Sequence, residues 1–325
     1  MPSRSSSARI LVGGVVGLLL IGLAGFAAAP RADGPEQAAA ILPDNPLYDS
    51  WHAPAGMPAH GEVTLLAGDD RIPSSAGFEP RDASLYLPPA ALVTDPPDLP
   101  LVVFMMGQPG DPDPEPISTA MDELAAQHDG LAPIVIVADQ LGDPSNNPAC
   151  VDSGTFGGVE TYFTKDIPAW AREHLHVAAD PSQWTIAGFS NGGGCALDWA
   201  LGHPGLWGNV VSLSGESYQG TEFPDEMLQQ VFDGDQAAYE AAKPAARAEK
   251  HAGQFTGHLA IFAAGADDAE FSAQAQLSRQ IAKDAGFDTR FFSIPGEDHV
   301  GALPGGLLVG FEALFPRLGL GPPSH

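Results

Sequence analysis

Apolar and polar positions along the chain alternate between two patterns. Short continuous apolar runs occur at 101–106 (LVVFMM), 134–138 (IVIVA) and 259–263 (LAIFA). Runs of this length with β-branched residues, bounded by Pro and Gly, predict strands buried on both faces. Further strands are predicted at 62–67, 83–87, 185–187, 209–213 and 289–294. Between them lie stretches with helical spacing of apolar residues: 117–128, 159–174 with a kink at Pro168, 191–202, 271–285 and 307–314. Buried strands alternating with helices over some 250 residues predict an α/β fold, a doubly wound and mostly parallel sheet with helices on both faces. The polar stretch 220–257, with helical patches at 225–232 and 236–242, interrupts the alternation and reads as a small cap-like insertion over the strand ends.

The segment before this alternation differs in kind. Arg4 and Arg9 precede an uncharged apolar and glycine-rich run at 10–29, with Pro30 and Asp33 after it. Residues 1–29 are therefore expected to be a signal peptide or an uncleaved membrane anchor, either of which exports the rest. Residues 30–60 are rich in Pro, Ala and Gly and read as a linker, on which Tyr48 and Trp51 are placed to dock. The α/β domain is expected at 61–318, with a tail at 319–325. The 41 acidic side chains against 14 Lys and Arg give a net charge of −27. A field of that sign repels phosphate and excludes nucleic acid as a partner. Cys150 and Cys195 both lie in the part expected to be exported, where an oxidising compartment permits a disulfide. The alternative is two separate buried thiols.

The stretch TIAGFSNGGGCAL, 185–197, carries the chemistry. A β-branched run meets Gly188-Phe189-Ser190-Asn191-Gly192 and passes into an apolar helix-permissive run, the strand–turn–helix context that gives G-x-S-x-G its meaning. A serine on so tight a turn is strained and exposed, and the flanking glycines nearly touch. No Lys follows the glycines, so a phosphate-cradling loop is excluded.

In doubly wound sheets the site forms at the carboxyl ends of the strands. Four predicted strand ends carry polar chemistry: Gly107-Gln108, Ser190, Asp267-Asp268 and His299. The order nucleophile, acid, histidine is that of the α/β-hydrolases. A serine hydroxyl needs a base, here His299, and the imidazole needs a carboxylate to hold its tautomer. Asp268 is the first candidate and Asp267 the alternative acid. Oxyanion donors are expected from the N–H groups of Asn191 and Gln108, since Pro109 has none. Nothing in the sequence calls for a metal or cofactor. His174 and His176 have no third ligand at sensible spacing, and the acidic loop Asp111, Asp113 and Glu115 reads as solvated. His128 and His203 lie near helix ends, where a positive charge suits the dipole.

With VVFMMGQPG, GFSNGGGCAL, GADD after a strand and PGEDH before the last helix, the chain resembles the putative-esterase family of α/β-hydrolases. That family includes esterase D, enterochelin esterase and the antigen 85 mycolyltransferases. The likeness spans roughly residues 60 to 316 and is strongest to exported actinobacterial members with a GQPG turn and a Cys in the loop matching NPACVDS. It implies a serine esterase or acyltransferase needing no metal, with Ser190 as nucleophile, His299 as base, Asp268 as acid, and Gln108 and Asn191 as oxyanion donors. Two positions depart from the pattern. Many members have His-Gly where this chain has Met106-Gly107, and the antigen 85 enzymes have a glutamate where this chain has Asp268.

The expected function is that of an exported serine esterase acting through an acyl-enzyme on a small-molecule or lipid ester. Two other readings stand beside it: an acyltransferase moving the acyl group to a sugar or lipid hydroxyl, and a non-catalytic hydrolase-fold protein that binds a partner.

Overall fold

The computed structural model describes residues 46–220 and 223–322. The expected targeting segment, 1–29, and most of the linker lie outside them. One eight-stranded sheet runs through the domain: β1 (Glu62–Leu66), β2 (Ala83–Leu87), β3 (Leu101–Met105), β4 (Ile134–Val137), β5 (Trp184–Phe189), β6 (Asn209–Leu213), β7 (Leu259–Gly265) and β8 (Asp288–Ile294). Their order across the sheet is β1-β2-β4-β3-β5-β6-β7-β8. Only β2 runs against its neighbours; β4, β3, β5, β6, β7 and β8 are all parallel. This is the doubly wound sheet expected from the apolar runs. Every residue of β3, β4, β5, β6 and β7 is buried, as a parallel strand covered on both faces requires. β1 and β8, at the edges, are largely exposed or half-buried.

The covering helices are α2 (Glu115–Gln127), α5 (Asn191–Gly202), α9 (Ala269–Ala285) and α10 (Ala302–Leu314), with a short α1 (Pro46–Ser50) before β1. The kink expected at Pro168 lies a little upstream. α3 (Val159–Thr161) passes through a π turn, Tyr162–Asp166, into α4 (Ile167–His174). Pro168 cannot donate to the carbonyl four residues before it, and its ring crowds that carbonyl. The chain widens instead, and the Ile167 N–H bonds to the Tyr162 carbonyl five residues back. At α1, the Trp51 indole N–H donates to the Asp129 carbonyl (2.9 Å) and the Tyr48 N–H to that of Gly319 (3.3 Å). One expectation fails here. His128, assigned to the helix dipole, is buried between Tyr48 and Phe315. Burial pushes its pKa down and favours the neutral ring.

The insertion holds α6 (Pro224–Gln230), α7 (Gln236–Ala241) and α8 (Pro244–Lys250). α8 has no apolar stripe long enough to announce it in the sequence. Met227, Val231 and Tyr239 of this cap share a small apolar core with Ala149 and Val151 of the β4–α3 loop, apart from the main one. That loop is tied to the nucleophile helix. Cys150 and Cys195 form a disulfide, and the Trp199 indole N–H donates to the Cys150 carbonyl (2.7 Å). Closing a 45-residue loop contributes on the order of 4 kcal/mol in the chain-entropy account.

The cap is latched to the body by charge. Arg247 on α8 donates to both oxygens of Glu160 (2.6 and 2.9 Å) and sets its Nε 3.2 Å from Asp198, which is buried on α5. His203 adds a 2.7 Å contact to Glu160. Burial pushes the Asp198 carboxyl up. For Glu160, burial acts the same way, but hydrogen bonds from His203 and Arg247 outweigh it and hold the carboxyl at about 2. An unfolded glutamate titrates near 4.3, so between these values the unfolded chain binds more protons than the folded one. The Glu160 part of the latch is therefore fully present above about pH 4.3 and is lost as pH falls toward 2, with a contribution of roughly 3 kcal/mol. Glu160→Gln is expected to lower the urea midpoint at pH 7 and to flatten the fall in stability between pH 5 and pH 3. An equal deficit at both pH values would refute the latch.

Candidate active site

The site is built on the carboxyl ends of β3, β5, β7 and β8. β5 delivers the chain to Ser190, whose φ of 54° and ψ of −119° lie in a sparsely populated region. Such a residue costs on the order of 1–3 kcal/mol and persists only where its surroundings hold it. Here they do. The Ser190 N–H donates to the Leu213 carbonyl on β6 (2.9 Å), and its own carbonyl accepts from Gly194 (3.1 Å) and Glu216 (3.3 Å). The crossing of β5 into α5 is tight enough that a Cβ on Gly188 would overlap the carbonyl carbon of Gly192, and one on Gly192 would lie 2.7 Å from the Met105 carbonyl oxygen.

The strand ends converge on Ser190. His299 Nε2 lies 3.0 Å from Ser190 Oγ. On the far side of the ring, His299 Nδ1 is 3.2 Å from Asp268 Oδ2. The contact is off the best hydrogen-bond line, yet neither atom has a hydrogen-bond partner among the described residues, so each serves only the other. Asp268 is the N-cap of α9: its Oδ1 accepts from the Phe271 N–H (3.1 Å), which leaves Oδ2 aimed at the histidine. Asp267, the alternative acid, is exposed and away from the ring; its backbone N–H bonds to the Glu297 carbonyl (3.1 Å). Asp298 accepts from the Gly301 N–H and helps start α10. The imidazole packs against the rings of Phe271 and Phe189, at centroid distances of 3.8 and 4.9 Å. Their faces limit its rotation and its contact with water.

The two N–H groups expected to meet an oxyanion, those of Gln108 and Asn191, follow different strands, β3 and β5. Gly107, just after β3, packs so close to the serine that a Cβ there would lie 3.0 Å from Ser190 Cβ. Gln108 is the next residue along this turn. The N–H of Asn191, at the start of α5, has no intrahelical partner. The Gln108 side chain turns outward, its Nε2 donating to the Asn146 carbonyl (2.7 Å).

Several supporting residues carry no motif and were not legible in the sequence. Asp139, buried at the end of β4, accepts from the backbone N–H groups of Arg81, Leu141 and Gly142 and from the Arg81 guanidinium. Arg81 reaches on to the Gly110 carbonyl (2.8 Å) and Asp111 (2.7 Å). The oxyanion turn is thereby pinned to β4, and Asp111, read as solvated, is paired. Gln140 and Gln219 bond to the nucleophile turn. A Cβ on Gly194 would collide with the Gln219 amide.

A cleft of about 250 Å³ opens beside the oxyanion turn. Gln108, Ser145, Asn147 and Glu216 line one side, and Phe223, Glu226, Met227 and Gln230 of the cap line the other. The cap thus borders the turn that carries Gln108, with hydrogen-bonding groups outnumbering apolar ones. No helix among the described residues is long and apolar enough to cross a membrane.

This architecture recurs in solved serine hydrolases. A ferulic acid esterase superposes with a TM-score of 0.58 at 16% identity, over 81% of this chain and 99% of that one. An S-formylglutathione hydrolase from Agrobacterium tumefaciens gives 0.60 at 16%, over 80% and 95%. A fluorophosphonate-binding serine hydrolase from Staphylococcus aureus gives 0.57 at 12%, over 81% and 100%. At these identities the likeness establishes the fold, that of the α/β-hydrolases. An uncharacterized protein of Corynebacterium glutamicum is 36% identical over 233 residues, which is 69% of this chain. The chain spans about half (54%) of the length of that curated relative. The model of the family described as "Putative esterase" matches residues 74–300, which takes in the oxyanion turn, the nucleophile turn, both aspartates and the histidine. The chain belongs to the Putative esterase family.

Proposed function

We propose that this protein is an exported serine esterase that cleaves a carboxylic ester through an acyl-enzyme. The observation that carries the reading is the continuous line Ser190 Oγ, His299 Nε2, His299 Nδ1, Asp268 Oδ2, at 3.0 and 3.2 Å.

The roles follow from that line. His299 Nε2 takes the hydroxyl proton as Ser190 Oγ attacks the ester carbonyl carbon. The imidazolium so formed is held by Asp268, which also keeps the proton on Nδ1 so that Nε2 is the basic nitrogen. Charge developing on the carbonyl oxygen is met by the N–H groups of Gln108 and Asn191 and by the positive end of α5. As the tetrahedral adduct collapses, His299 Nε2 returns its proton to the departing alcohol. Water then enters, loses a proton to the same nitrogen, and attacks the acyl carbon; the carboxylic acid leaves and Ser190 regains its hydrogen. No metal or cofactor enters this sequence. Export rests on the apolar run at 10–29 and is supported by the disulfide, which persists in oxidising compartments.

The test is turnover of p-nitrophenyl acetate and butyrate by the purified protein, with mass mapping of the peptide modified by a fluorophosphonate. Turnover with the label on Ser190 is expected. A folded protein that neither turns over these esters nor takes the label would overturn the reading.

A further inference from the structure

The two oxyanion donors sit on different strands, one after β3 and one after β5. Nothing in the nucleophile turn itself sets the distance between them. A single buried amide spans the gap. Gln140, which follows Asp139 at the end of β4, donates from Nε2 to the Met106 carbonyl (2.8 Å) and to Asn191 Oδ1 (3.0 Å). Met106 immediately precedes Gly107, so its anchored carbonyl fixes the peptide from which the chain swings round to the Gln108 N–H. Asn191 is held from the other side as well. Its Nδ2 donates to Gln219 Oε1 (2.5 Å), and Gln219 Nε2 donates to the Asn191 carbonyl (2.9 Å). All three side chains are at least 97% buried.

We propose that Gln140 is the positioning residue of the oxyanion hole, and that its amide nitrogen sets the separation of the Gln108 and Asn191 N–H groups. The proposal rests on the esterase reading above. The residue type follows from the partners. Two acceptors face one atom, so that atom must carry two hydrogens, which an amide nitrogen does and a carboxylate or hydroxyl does not. Gln140 touches neither the serine nor the space where the carbonyl oxygen would sit. Its effect passes through the two strands it joins, and such groups matter because misplacement of the order of 1 Å costs rate steeply. The anchoring of Asp139 by Arg81 and three backbone N–H groups gives Gln140 a rigid base.

The test uses the complete protein and two variants, with rates expressed per active site titrated by the fluorophosphonate. Gln140→Met keeps the length and removes both donors. It is expected to lower kcat for p-nitrophenyl acetate and the rate of Ser190 phosphonylation together, by about 10- to 100-fold, with KM within about twofold of wild type. A role in folding alone would reduce the number of titratable sites and leave the rate per site unchanged. Gln140→Glu restores one donor only while its carboxyl is protonated, so its kcat relative to wild type is expected to fall as pH rises from 5 to 8. If Gln140→Met does not fold, this ratio decides, and a ratio independent of pH overturns the proposal. A per-site kcat for Gln140→Met equal to wild type also overturns it and leaves the esterase reading standing. Wild type that neither turns over ester nor takes the label removes both.

Discussion

Ser190→Ala is expected to lower kcat/KM for a p-nitrophenyl ester by about 10⁵- to 10⁶-fold and to abolish fluorophosphonate labelling. The size follows from the geometry. Among the described residues the hydroxyl is the nucleophile aligned with His299 Nε2, at 3.0 Å, and removing it leaves the histidine and its aspartate with nothing to activate. What remains is the binding of the ester and the two N–H donors, which by themselves accelerate hydrolysis over water by about 10³- to 10⁴-fold. The variant should fold as the wild type does. Alanine retains the Cβ that packs against Gly107, and the backbone hydrogen bonds from Ser190 N–H and to its carbonyl involve no side chain. Steady-state kinetics with a melting curve on the same sample checks both halves. A variant that kept ester turnover within tenfold of wild type would show that Ser190 is not the nucleophile.

Asp268→Asn is expected to lower kcat by about 10⁴-fold, while Asp267→Asn stays within about twofold. Asp268 has two tasks, one on each oxygen. Oδ1 caps α9 through the Phe271 N–H; Oδ2 faces His299 Nδ1. Asparagine performs the first task as well as aspartate does, so the helix and the fold are retained. It fails at the second. Without the negative charge the imidazolium is not stabilised, and an amide NH₂ turned toward Nδ1 favours the tautomer in which Nε2 carries the hydrogen and cannot accept one. The loss therefore falls on catalysis with little change in melting temperature. Asp267, one residue earlier, points to solvent and is the internal control. Kinetics of the two variants side by side separate them; equal losses would mean that the carboxylates share the role.

The adjacent aspartates also mark where pattern reading stops. Both follow the same strand, both are chemically suited, and no spacing rule distinguishes them. The choice is made by the turn after β7: the backbone N–H of Asp267 is taken by Glu297, and the next residue is placed at the start of α9 with its side chain turned across to the histidine. The supporting residues were hidden for a related reason. Gln140, Gln219, Arg81 and Asp139 are ordinary residue types at ordinary positions, and they act through partners 28 to 58 residues away. His128 was misassigned because its position at a helix end was visible in the sequence and the covering of that end by Tyr48 and Phe315 was not.

The sequence by itself determined the features that depend on local chemistry. Apolar runs located the five fully buried strands, β3 to β7, to within a few residues, because a strand buried on both faces admits almost nothing polar. Glycines at 188 and 192 announced the nucleophile turn, because the backbone there leaves no room for a Cβ. The order serine, aspartate, histidine announced the chemistry. Tertiary structure alone decided which aspartate faces the histidine, how the cap is latched by Arg247, and which amide joins the turns after β3 and β5. Each of these is a contact between segments far apart in the chain. Its energy depends on distances of a few tenths of an ångström, and those exist only once the sheet has assembled.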